Sequence, residues 1–133
     1  MPESSAPMTL AERIEAIEQA YELMLAYAAQ GRQEDDGEES SIRQFMRRAR
    51  AALDGLADSL RAEVANEIES YADFLPILEQ DARAAAAAFR LVLARRAVSS
   101  QLVDNLNASI HLRALLTDVF LIDEALKIDR RDA

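Results

Sequence analysis

Apolar residues return at intervals of three and four along nearly all of this chain, and that spacing makes helix the regular structure that can bury them on one side. The clearest stretch is Leu10, Ile14, Ile17, Tyr21, Met24 and Ala28, with Glu12, Glu15, Glu18 and Glu22 off the seam. Thr9 followed by Glu12 reads as a capping box, and Gly31 as a stop. Only three glycines and three prolines interrupt 133 residues rich in Ala, Leu, Glu and Arg, so few positions disfavour helix.

A second seam, from Ile42 through Met46, Ala49, Leu53, Leu56, Leu60, Val64 and Ile68 to Tyr71, predicts a helix over 42–72. Ser40 or Ser41 opens it, with Gln44 placed to close a second box. Gly55 falls inside it at a cost of about 1 kcal/mol relative to Ala. Pro76 ends or kinks this helix, because the residue before a proline is pushed out of the helical region. A third helix over 76–98 turns Leu78, Ala82, Ala85, Phe89 and Val92 inward, and its run Ala84–Ala88 lets a neighbour approach closely. A fourth covers 101–127; Ser99 and Ser100 either cap it or lie inside one merged helix of some fifty residues (about 76–127). The reading is therefore all-α: an antiparallel four-helix bundle with helices at about 10–30, 42–72, 76–98 and 101–127. Residues 1–8 form a flexible tail, and 9–133 a single domain. A glycine-bounded acidic loop at 31–41, without apolar residues over Gly31–Ser40, is expected to be solvated and mobile.

Charge is uneven. Residues 1–41 carry ten acids against Arg13 and Arg32, a net −8, and the remaining fourteen acids nearly balance thirteen bases, completing the overall −9. Such a chain lacks the basic field that binds nucleic acid. No cysteine is present, so disulfides and thiolate chemistry are excluded. Met1–Pro7 has neither the charge nor the apolar run of a secretory leader. The longest apolar runs fall far short of the ~20 residues that span a bilayer. A cytoplasmic location without a transmembrane segment is the expectation.

Motifs that carry chemistry do not assemble. His111 is the sole histidine, and Asp104, Asn107 and Asp118 share its helical stripe. Histidine phosphotransfer domains place Lys and Gly three and four residues after their histidine, whereas Ala114 and Leu115 stand here. The stripe Asp104, Asn107, His111 and Asp118 is therefore expected to be a hydrogen-bonded polar seam. One histidine cannot furnish a ferritin-like or histidine-zinc site. The glycines are too scattered for a phosphate loop, and no serine has the context of a nucleophile elbow. No catalytic residue, metal or cofactor is expected.

Arg43, Arg47 and Arg50 share one face of the second helix. They are expected to be a solvated face with ordinary ion pairs, or to meet the chain's own loop at Glu34–Glu39. The run Arg13-Ile14-Glu15-Ala16-Ile17-Glu18 with Arg32 resembles the first helix of all-helical chorismate mutases. That family continues the helix to a catalytic lysine; Gly31 and the acidic loop stand there instead, and the only lysine is Lys127.

What remains is surplus apolar surface on the fourth helix, where Leu112, Leu115, Leu116, Val119, Phe120 and Ile122 spread over a wide arc. These are the candidate partner-binding residues, and the expected function is non-enzymatic: an adaptor, assembly or export chaperone, or regulator. In size, acidity and helix content the chain is similar to flagellar export chaperones. It also resembles phasins, which coat storage granules, in being Ala-rich, helical and free of cysteine. A small-ligand binder with Phe89 and Phe120 inside the bundle is a further alternative. The partner is expected to be another protein or a second copy in a homodimer.

Overall fold

In a computed structural model, which describes residues 8–131, the chain is all-helical, and no strand occurs among the described residues. Apart from Met8, the expected N-terminal tail lies outside the described residues. Seven α-helices are present among the described residues instead of four: α1 Leu10–Ala28, α2 Ser41–Leu53, α3 Leu56–Glu63, α4 Ile68–Tyr71, α5 Leu75–Leu93, α6 Ser100–Ala108 and α7 Ile110–Arg131. A 3-10 turn, Ala65–Glu67, sits between α3 and α4.

The first helix begins as its sequence predicts. The Thr9 hydroxyl accepts from the Glu12 amide at 3.1 Å, and the Glu12 carboxylate accepts from the Thr9 amide at 2.8 Å. At α2 the cap is Ser40, whose hydroxyl accepts from the Arg43 amide. Gln44 does not close a second box; its amide donates to the Glu39 carbonyl.

The helix expected over 42–72 is corrected to three helices and a turn. Gly55 takes φ +88°, a left-handed conformation that ends α2 and starts α3 in a new direction. Pro76 enters the first turn of α5, where its missing N–H has no intrahelical role. Residues 94–99 separate α5 from α6, so the merged alternative does not hold. The helix expected over 101–127 is itself divided at Ser109, which has ψ 134°.

The core lies between two groups of helices. α1 packs on α2, α3 and α6; α5 packs on α2, α3, α6 and α7; and α6 touches α7. Met24, Met46, Leu60, Leu78, Phe89, Val103 and Leu115 are its innermost large apolar side chains. Alanines at 16, 20, 49, 52, 82, 85 and 86 are buried too, allowing the backbones to come close.

Two arginines complete the interior without facing solvent. Arg13 on α1 donates to the carbonyls of Ala52 (3.0 Å), Ala51 and Asp54, and through Nε to the Ser59 hydroxyl at 2.8 Å. It thereby satisfies the carbonyls left open at the end of α2. Arg43 does the same for α5, donating to Leu93 (3.0 Å), Arg95 (2.8 Å) and Arg96 (3.2 Å).

Candidate partner-binding face

The sequence of α7 places Leu112, Leu115, Leu116, Val119, Ile122 and Leu126 on one side, and all six are buried in the protein's own core. Five of the six residues singled out as partner-binding are therefore consumed internally. Only Phe120, half exposed at 50%, reaches solvent. It cannot line a ligand cavity inside the bundle together with the buried Phe89.

A different apolar stripe is free. Ile110, Leu121 and Ile128 are spaced by eleven and seven residues, close to three turns and two turns, so they align along α7. They stand opposite its buried side and are 73%, 58% and 40% exposed. The neighbouring helix α5 adds Ile77 at 49% and Leu91 at 62%. Half-buried alanines, Ala84 and Ala88 on α5 with Ala114 on α7, keep the surface between them thin.

The seam between these helices holds Asp118 of α7, nearly buried, with Asp81 of α5 as the charged group acting on it. Burial, a hydrogen bond shared with the Asp81 carboxyl and the charge of that carboxyl push Asp118 up to about 7. Asp118 Oδ2 is buried without a hydrogen-bond donor among the described residues.

The expected polar stripe does not form. Asp104 and His111 are exposed, and the break at Ser109 takes them off a common helix face. The Ser109 hydroxyl accepts from the His111 amide, which caps the start of α7. Asn107 turns inward and donates to the Met24 carbonyl on α1 at 3.2 Å. Asp118 faces α5 instead.

The basic patch is likewise divided. Arg43 is 1% exposed and its Nε donates to Asp35 at 2.6 Å. Arg47 pairs with Glu38 at 2.8 Å, and Arg50 with Asp54 at 3.6 Å. The acidic loop thus meets the arginines of α2, and it is not wholly solvated: Asp35 also accepts from the Ser40 hydroxyl (2.8 Å) and the Val98 amide (2.9 Å). Burial would raise the Asp35 pKa, but Arg43, the Val98 amide and Ser40 together hold it well below the usual carboxylate range.

Arg13, the residue on which a likeness to chorismate mutases turned, is 8% exposed and occupied by the end of α2. Among the described residues no group of three or more His, Asp or Glu side chains is placed to hold a metal ion. No described helix is long and apolar enough to cross a membrane. Comparison with family models, with curated proteins and with solved structures finds no match to this chain.

The apolar arc of α7 is divided between a buried side, which holds five of the six residues expected to meet a partner, and an exposed stripe. The spacing of Ile110, Leu121 and Ile128 was available as a signal. A wide apolar arc hides such a stripe, because its two sides compete for the core and composition does not rank them.

Proposed function

We propose that this chain is a non-enzymatic, cytoplasmic helical module that binds another protein through the outer face of α7 and the adjoining edge of α5. The observation that supports the reading is the set of large apolar side chains directed away from the core, with Ile110 and Leu121 the most exposed on α7. Scattered surface apolar residues need no explanation, but an aligned set over two packed helices suits helix-in-groove recognition. An adaptor, assembly chaperone or regulator works through such a surface.

The test is affinity capture from the source organism's lysate with wild type and Leu121→Glu in parallel. A partner at near-stoichiometric yield on wild type, lost on the variant while helicity is unchanged, supports the reading. Capture that is identical on both proteins overturns it. Light scattering on the purified chain identifies self-association, for which the variant would be the monomer.

A further inference from the structure

We propose that the segment docking on this face carries one lysine or arginine among its apolar side chains, and that this cation ion-pairs with Asp81 and Asp118 at the α5–α7 seam. The inference rests on the docking reading above and names the chemistry of the partner. Three observations carry it.

Asp118 is 7% exposed; it shares a hydrogen bond with the Asp81 carboxyl, and its Oδ2 meets no N–H or hydroxyl donor among the described residues. Asp81, half-buried on α5, is the charged group that acts on Asp118; on α7 itself His111 lies two turns earlier and is exposed. No arginine or lysine among the described residues forms an ion pair with either carboxylate. The pair is a negative centre without a counter-ion.

Its surroundings fit a helix. Ile77 and Leu91 on α5 and Ile110 and Leu121 on α7 are exposed on the two helices that carry it. The small side chains Ala84, Ala88 and Ala114 leave room for a second backbone to approach. A long, flexible stem ending in a cation reaches a half-buried carboxylate from such an approach while its methylenes cover apolar surface.

The charge argues against a second copy as the occupant. The chain carries −9, so two copies repel each other where a cationic partner is drawn in. A basic helix from another protein does. Near neutral pH the pair holds one proton, so the incoming cation takes its place and the proton passes to the buffer. Binding is then coupled to proton release, and it strengthens as pH rises.

Two synthetic amphipathic helices of Leu and Ala test this, one with a lysine at the centre of its apolar face and one with norleucine there. Calorimetry at pH 6.5 in buffers of different ionisation enthalpy reads affinity and proton release together. The lysine peptide is expected to bind about tenfold more tightly, with release of a proton. Asp118→Asn or Asp81→Asn alone, which each leave a single carboxylate at the seam, should keep the preference but lose the proton release; the double variant should erase the preference while still binding the norleucine peptide. Leu121→Glu should abolish both. Equal affinity of the two peptides for wild type overturns the cation inference and leaves the docking face standing. Binding of neither, or binding that Leu121→Glu leaves intact, overturns the docking face and the inference with it.

Discussion

Arg43 and Asp35 meet in the interior, Nε to Oδ2 at 2.6 Å, with side chains 1% and 2% exposed. Eight residues apart in sequence, they tie the loop after α1 to the first turn of α2. The same guanidinium reaches on to the carbonyls at the end of α5, so a single side chain joins three segments. Removing one partner of such a pair strands the other charge. Asp35→Ala or Arg43→Ala is expected to cost about 3–5 kcal/mol in urea denaturation.

The pH dependence of this pair has a definite sign. Asp35 has its pKa lowered in the folded protein, so its contribution is fully present above the unfolded carboxylate value, near 4. It falls away as the pH drops below that. Wild type should lose stability on acidification below about pH 4, and Asp35→Asn should lose less over the same interval; chemical denaturation at several pH values measures both.

Asp118 gives the opposite slope. Its folded pKa is pushed up to about 7 by burial and by Asp81, so the native state holds more protons than the unfolded chain between about pH 4 and 7. Stability should therefore fall as pH rises through that window, by up to about 1 kcal/mol per unit, and level off above it. Asp118→Asn should flatten the decline. A wild-type curve that rises from pH 5 to 7 would contradict this assignment.

Arg13 and Gly55 act as one junction. A Cβ on Gly55 would lie 3.3 Å from Arg13 Nη2, and the residue already holds φ +88°. Gly55→Ala should cost more than the ~1 kcal/mol of left-handed strain alone, since the guanidinium must also shift. Gly31→Ala, with nothing within 4 Å of its Cβ, should cost only the strain. Arg13→Met should cost about 2–3 kcal/mol by leaving buried carbonyls unanswered. Thermal melts of the three variants rank them.

The two sides of α7 should separate cleanly. Leu115→Ala empties a fully buried position and is expected to cost about 2–5 kcal/mol. Leu121→Glu, on the outer side, should stay within about 0.5 kcal/mol of wild type. Urea titration distinguishes them.

Local signals along the chain point to the helical class and to several helix ends. Thr9 with Glu12, Pro76, and the inward set Leu78, Ala82, Ala85, Phe89 and Val92 all stand where spacing and cap chemistry put them. Those signals act within one or two turns. Gly55 was visible as a weak point, but whether a glycine interrupts a helix depends on what waits beside it, here Arg13 from forty-two residues earlier. Asp35 was hidden for the same reason: nothing in an acidic loop marks the one carboxylate that Val98 and Arg43 will draw inside. The face of α7 was misread because which half of an apolar helix is covered is decided by α5 and α6, not by α7.

The contacts around Val98 also set an order of events during synthesis. The Tyr27 hydroxyl donates to the Val98 carbonyl at 2.6 Å, and Ser100 accepts from the Arg32 amide and donates to the Tyr27 carbonyl. Arg43 needs carbonyls from Leu93 to Arg96. While the growing chain is shorter than this, Arg43 and Asp35 have each other but lack the Leu93–Arg96 carbonyls and the Val98 amide, and Tyr27 lacks the Val98 carbonyl. Residues 93–100 act as the clasp, and the native packing of the first half is expected to be complete only once they have left the ribosome.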